Sequence, residues 1–241
     1  MRSLQNIHKM ELYHKKLLVE QLSAHVTEKR LEKMTHILAL RTRHLTMVME
    51  DIYQSQNASA VLRSCECFGV QDVHIIENRN TYEINPDVAL GSSKWLSLFK
   101  YNQKDFNTTA CLAGLKSQGY RIVATSPHKD DCLLEELPVD RKTALVFGTE
   151  LDGLTDEAMS MSDGFVRIPM HGFTESFNIS VSAAICLYHL APRIRNTVSN
   201  WELTKEEKTE VMIGWLLQSV RNPENLLNHY KKELGIKKST V

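Results

Sequence analysis

The 241-residue chain has no net charge, with 29 Lys/Arg against 29 Asp/Glu, and no apolar run near the length a membrane helix needs. It carries no Cys-x-x-Cys pair. Its five cysteines, Cys65, Cys67, Cys111, Cys132 and Cys186, are odd in number and lack metal-ligand spacing. A zinc ribbon and a disulfide framework are therefore not expected, and the thiols read as reduced, small apolar residues. The stretch Met1–Asn6 has no apolar signal-peptide core, so a cytoplasmic protein without a membrane partner is expected. No His-x-x-x-His occurs, and no histidine lies in a recognisable nucleophile motif. Lone His171 reads as structural, and no metal is expected. Internal repeats and low-complexity tracts are missing too.

Zero net charge hides an uneven distribution. Residues 1–46 hold nine Lys/Arg, four acids and five histidines, and residues 192–241 hold nine Lys/Arg and six acids. The centre, 47–191, holds eleven against nineteen. Basic ends around an acidic middle fit a phosphate-binding surface on the extensions or, equally, solvated terminal helices. The length allows one α/β domain of about 150 residues plus extensions.

Hydrophobic periodicity organises the chain. Leu4, Ile7, Met10, Leu17, Leu18 and Leu22 have helical spacing, and a second helix starts at Thr27 with Leu31, Met34, Ile37 and Leu38 on one side. Short strand-like runs lie at 46–50, 73–76, 96–101, 121–125, 143–147 and 166–168. Helices are expected from an Asn57 cap to Phe68, over 105–118, and from Phe177 to Leu190. Strands alternating with helices argue for a parallel α/β sheet. Helices over 203–220 and 223–234 follow. The expected division is a basic helical extension at 1–43, a catalytic α/β domain at 44–191 and a second helical extension at 192–241.

Three constellations have chemical potential. In Asn57-Ala-Ser-Ala-Val-Leu-Arg63, free N–H groups at a helix start and a guanidinium fork suit phosphate oxygens, although an ordinary cap and a surface arginine would look the same. In Gly148-Thr-Glu-Leu-Asp-Gly153, the glycines permit a sharp turn or close backbone approach to a ligand. This loop is neither Gly-x-Gly-x-x-Gly nor a P-loop. Glu150 in it is a hydrogen-bond acceptor or a plain loop acid. In Ser176-Phe-Asn-Ile-Ser180, Ser176 or Asn178 caps the following helix. The last two loops end neighbouring strands, where open α/β sheets bind ligands. Their carboxylates, hydroxyls and amide suit a polar organic cofactor better than an ion.

In this order and spacing, Glu50–Val70, Phe147–Gly153 and Ile168–Ser182 resemble the three motifs of the SPOUT class of RNA methyltransferases, and most closely its TrmH-type tRNA (guanosine-18) 2′-O-ribose branch. The resemblance covers about 44–191, with Gly91-Ser-Ser-Lys-Trp95 fitting as well. It implies S-adenosylmethionine as cofactor, a trefoil knot, a homodimer and a tRNA substrate. Arg63 matches the family's catalytic arginine, and Asn57, Glu150, Ser176 and Asn178 match its other active-site positions. Thr125, Phe147, Gly148, Thr149, Gly153, Ile168, Met170, Gly172 and Phe177 fall at or beside its cofactor positions. Gln56 stands where some relatives have His, and Phe177 replaces a common Leu. The implied roles for Arg63 are general base, or phosphate contact and stabiliser of a developing alkoxide. Ribosomal RNA is the alternative substrate, and a non-catalytic RNA-binding protein of the same fold is the alternative function.

Overall fold

The computed structural model describes residues 7, 10–103, 106–126, 132–150 and 152–233. The expected helix start at residue 4, Asp105 and residue 234 lie outside them. In chain order the elements are α1 (Leu12–Ser23), α2 (Glu28–Leu38), β1 (Leu45–Glu50), α3 (Ser55–Phe68), β2 (Asp72–Ile76), α4 (Pro86–Ala89), a 3₁₀ turn (Ser92–Trp95) and β3 (Ser97–Tyr101). There follow α5 (Asn107–Ser117), β4 (Arg121–Thr125), β5 (Cys132–Leu133), β6 (Thr143–Phe147), α6 (Asp156–Met161), β7 (Gly164–Arg167), α7 (Ile179–Thr197), α8 (Lys205–Ser219) and α9 (Pro223–Glu233). The chain divides into two units, Thr42–Trp201 and a second made of Met1–Arg41 with Glu202–Val241.

In the first unit the strands form one sheet in the order β3-β2-β1-β6-β4-β7-β5, and every pairing is parallel. Both faces of the sheet are covered, as a parallel sheet requires. The pleat sends alternate residues to opposite faces. Met47, Met49, Val73, Val123, Leu145 and Phe147 join α3 and α7 in one core. Val48, Ile76, Ile122, Ala144 and Val146 meet Cys111, Leu112 and Leu115 of α5 and Ala158 of α6 in the other. β1 and β6 are buried along their whole length and form the centre of the sheet.

Local chemistry sets the boundaries. Gly69 ends α3 in the left-handed region at φ 77, where its N–H reaches Cys65 and Glu66 carbonyls. The start of α3 differs from expectation. It begins at Ser55 after Gln54, so Asn57 lies inside the first turn and does not cap it. α7 runs to Thr197, through Pro192 and past both the expected end at Leu190 and the expected domain boundary at 191. A proline lacks the N–H for one helical bond. The next turn is nonetheless held by buried Ile194 and by Arg193, whose guanidinium donates to the Leu134 and Leu137 carbonyls at 3.3 and 2.9 Å. β7 lies at Gly164–Arg167, which leaves Ile168 in the loop after it. The short elements α4, β5 and α6 have too few residues to show a period.

In the second unit α1 packs on α8, and Thr204 and Glu207 close a reciprocal capping box at the start of α8. The fully buried Lys15 ammonium donates to Glu206 and Glu210 carboxylates at 2.7 and 2.6 Å. Arg41, also buried, lies 5.3 Å from the Trp215 ring centre.

Candidate active site

At the carboxyl ends of β4, β6 and β7 the loops enclose a pocket of about 560 Å³. That volume is within the range for a small organic ligand. Of the residues expected at a cofactor, Thr125, Phe147, Gly148, Thr149, Gly153, Ile168, Met170 and Phe177 line it, and so do Glu150 and Ser176. Gly172 is not in its wall. Pro127, beside Thr125 in sequence, lies outside the described residues.

The loop after β6 has a tight, defined form. Thr149 N–H donates to the Gly153 carbonyl at 2.8 Å and Gly153 N–H returns to the Thr149 carbonyl at 3.2 Å. The Thr149 hydroxyl accepts from Asp152 N–H at 3.0 Å. This turn-back brings Gly153 and Leu154 backbone atoms so close to Gly148 that a Cβ there would overlap them. Gly153 itself has φ +72, which favours glycine. The two glycines thus do different things: one gives room and the other gives a turn. Thr125 is fixed by its hydroxyl, which donates to the Val146 carbonyl at 2.9 Å.

At the rim, one residue from each sequence motif meets the others. Asn57 donates its amide to Gln54 Oε1 at 3.0 Å and also to Glu150 Oε1. Asn178 donates to Glu150 Oε1 and to Asn57 Oδ1, both at 3.1 Å. Asn178 caps α7, accepting at Oδ1 from Ser180 N–H at 2.9 Å. That bond fixes which way the amide faces, so its NH₂ must point to Glu150. Glu150 is therefore an acceptor shared by two amides. Asn57 and Asn178 lie outside the pocket wall and reach it through Glu150. Arg63 joins neither the wall nor this cluster. It is exposed on α3, six residues beyond Asn57, with no hydrogen-bond or ion-pair partner among the described residues.

The wall also holds groups that the sequence did not single out. Among the described residues of the wall, Asp152, Asp156 and Glu175 join Glu150, with Arg167 as the cation. Cys186 lines the pocket, but burial pushes its thiol up to about 12, so it stays protonated and is no nucleophile. Behind the site, buried Glu50 accepts from the Thr108 hydroxyl at 2.6 Å and from the Thr155 N–H and hydroxyl at 3.0 and 2.8 Å. Thr155 caps α6, so Glu50 ties the end of β1 to the pocket-side loop after β6. No group of His, Cys, Asp and Glu able to hold a metal ion occurs among the described residues.

Such a pocket at the carboxyl ends of parallel strands is where open α/β sheets hold organic ligands, and comparison with known proteins places the chain among methyltransferases. Residues 44–188 match the SpoU rRNA Methylase family, and the chain belongs to that family. It is 45% identical over 210 residues to the tRNA (guanosine(18)-2′-O)-methyltransferase of Borreliella burgdorferi, covering 86% of this chain and 94% of that protein. Among solved structures, the A. aeolicus TrmH/SpoU tRNA modifying enzyme superposes with a TM-score of 0.72 at 28% identity, covering 81% of this chain and 98% of that one. The SpoU methyltransferase AviRb of Streptomyces viridochromogenes, solved with the cofactor AdoMet, shares the fold with a TM-score of 0.57 at 20% identity, over 66% of this chain and 64% of that one.

Proposed function

We propose that this chain transfers a methyl group from S-adenosylmethionine to the ribose 2′-hydroxyl of guanosine 18 in tRNA, and that it works as a homodimer. The observation that carries the reading is the meeting of Asn57, Glu150 and Asn178, from three separate motifs, at the rim of a cofactor-sized pocket.

The pocket fits the cofactor in charge and shape. Among the described residues of the wall, four carboxylates against one guanidinium favour a ligand carrying a sulfonium and an ammonium. Phe147, Ile168, Met170 and Phe177 offer apolar surface for an adenosine. The missing side chain at Gly148 lets the Gly153–Leu154 backbone close against it, which shapes the wall the ligand meets. S-adenosylmethionine supplies a methyl group already activated on sulfur. What the protein adds is placement of the 2′-hydroxyl in line with it, and holding two groups in reactive geometry is a large share of such a barrier. The cluster at Glu150 presents fixed amide and carboxylate groups to the ribose. Arg63, a fork of donors with no partner among the described residues, serves the phosphate and the alkoxide that develops as the hydroxyl loses its proton.

Several features support a second copy in the working enzyme. Arg63 is away from its own pocket, and Val181 and Tyr188 of α7 are exposed apolar side chains on the helix that packs against α3. The sheet order with β6 between β1 and β4 is consistent with the trefoil knot that the family resemblance implies. The unit Thr42–Trp201 holds the reaction, and the basic terminal unit contributes to RNA binding. No helix among the described residues is long and apolar enough to cross a membrane.

The test is methyl transfer from labelled cofactor to unmodified tRNA transcripts, with 2′-O-methyl mapping of the product and ribosomal RNA as the competing substrate. Methylation at guanosine 18, absent when that nucleotide is replaced, is expected. Modification of ribosomal RNA alone would overturn the tRNA assignment, and cofactor binding without transfer to either RNA would overturn the enzymatic one.

A further inference from the structure

Asp51 follows the last residue of β1 and adopts φ 53, a left-handed conformation uncommon outside glycine. It is buried, and its carboxylate faces no cation in an ion pair among the described residues. One oxygen, Oδ1, instead accepts from three consecutive backbone N–H groups, those of Asn78, Arg79 and Asn80, at 2.6, 2.8 and 3.4 Å. The Asn80 side chain closes the arrangement by donating to the Asp51 carbonyl at 2.9 Å. The loop after β2 is thereby moulded on a buried anion. The side chain displayed at its centre is Arg79, whose Nη1 lies 3.9 Å from Asp152 Oδ2 in the wall of the pocket.

This ion pair adds little to stability, because both partners are about three-quarters exposed, with side-chain exposures of 74% and 79%. A buried, specifically bonded template for a loop whose most prominent side chain gains so little stability calls for another purpose. The rim is acidic through Glu150, Asp152 and Glu175, and an RNA strand approaching it is repelled unless a cation meets its phosphates. We propose that Arg79 is that cation: an RNA-positioning residue that leaves Asp152 for a phosphate beside the reacting nucleotide. A planar guanidinium presents two parallel donors to phosphate oxygens, and the loose pairing with Asp152 keeps it at the rim until RNA arrives. The inference rests on the RNA-methylating function proposed above.

The experiment compares Arg79→Ala, Arg79→Lys and, as control, Arg141→Ala, which lies two residues before β6 at the opposite end of the strands. Calorimetry measures cofactor affinity, filter binding of unmodified tRNA at several salt concentrations measures RNA affinity, and steady-state methylation separates KM for tRNA from kcat. Arg79→Ala should weaken tRNA binding roughly tenfold and lower the slope of log affinity against log salt by about one unit. Cofactor affinity should be unchanged and the change should fall mainly in KM. Arg79→Lys should keep the salt slope while recovering only part of the affinity, and Arg141→Ala should behave as the unaltered protein. An unchanged salt slope and KM in Arg79→Ala, with the unaltered protein methylating tRNA, would overturn the role of Arg79 alone. Absence of methylation by the unaltered protein would instead overturn the function on which it rests.

Discussion

Replacing Gly148 with alanine tests the pocket at its tightest point. A methyl group there would overlap the Gly153 carbonyl group and the Leu154 nitrogen, all of them backbone atoms that no side-chain rotation can clear. The loop must open, and three hydrogen bonds depend on its closed form: the Thr149–Gly153 pair at 2.8 and 3.2 Å and Asp152 N–H to Thr149 Oγ1 at 3.0 Å. At about 1 kcal/mol net for each, a figure that already allows for water replacing the lost partner, reclosing the loop around a ligand costs about 2–3 kcal/mol. Cofactor affinity should therefore fall by a factor of about 30 to 150. Global stability should change less, because the opened segment is largely exposed and the sheet behind it is untouched. Gly119→Ala is the matched control. Gly119 has φ +84 but open space around its Cβ position, just before β4 and away from the pocket. It should cost about 1–2 kcal/mol of stability through strain alone and leave cofactor binding intact. Isothermal calorimetry with S-adenosylmethionine and thermal unfolding of the three proteins make the comparison. A Gly148→Ala protein that binds cofactor within threefold of the unaltered one would refute the argument that the closed loop forms the site.

Arg63→Ala should lower kcat at saturating tRNA by at least about a hundredfold, the scale of losing a transition-state donor, while cofactor affinity stays level. Arg63→Lys should restore little, and a normal kcat in single-turnover methylation would refute a catalytic role. Buried His74, stacked 4.8 Å from Phe99, has its imidazole pushed down to about 4 by burial. The unfolded chain therefore binds the extra proton first, and stability should decline as pH falls from 6.5 towards 4, by up to about 3 kcal/mol from this group. His74→Phe should flatten that part of the stability–pH curve in denaturant titrations; an unchanged curve would exclude His74 as its source. For Lys15, burial alone would lower its basicity, but Glu206 and Glu210 outweigh it and raise the ammonium above its usual value. Its contribution should be complete below pH 10.5 and disappear as pH rises through the raised value. Lys15→Ala should cost about 3 kcal/mol by leaving Glu210 poorly solvated, and a loss below about 1 kcal/mol in urea unfolding would count against the pairing.

What was legible in the sequence depended on period and on turn chemistry. The runs at 121–125 and 143–147 are strands with those bounds, because apolar residues fill both faces and polar residues stop abruptly at each end. Gly69 ends α3 where a left-handed residue is needed, and Thr27 caps α2 through Arg30 N–H. Cysteines 65, 111 and 186 are buried free thiols. Asn57 misled because capping residues are common at helix starts, and only the tertiary position of Glu150 shows that its amide is engaged elsewhere. The expected end of α7 at Leu190 falls short because the helix continues through Pro192, whose local cost is overridden by the packing of Ile194. The separation of Arg63 from the pocket could not be read from spacing, since six residues along a helix fix a direction and not what lies there.

Arg79 shows the same limit from the other side. By sequence it stands outside every motif, which would make it a convenient inert control, yet the fold sets it against Asp152. The cause lies in two adjacent acids, Glu50 and Asp51, quoted with the first motif but assigned no role. Asp51 lies just past the end of β1 in a left-handed turn, which sends its side chain to other neighbours than those of Glu50. Glu50 therefore gathers Thr108 and Thr155, while Asp51 gathers the backbone of 78–80. Asn78 links the two halves by donating to the Thr108 hydroxyl at 2.9 Å. Loops after three strands, β1, β2 and β6, are held by a pair of carboxylates satisfied by N–H and O–H groups. A loop framed this way is ordered before its ligand arrives, so less binding energy is spent on ordering it. Buried acids with no cation beside them are costly unless every lone pair has a donor. Two buried acids in succession at the end of a central strand, neither of them in an ion pair among the described residues, are best explained by the rim they hold in place.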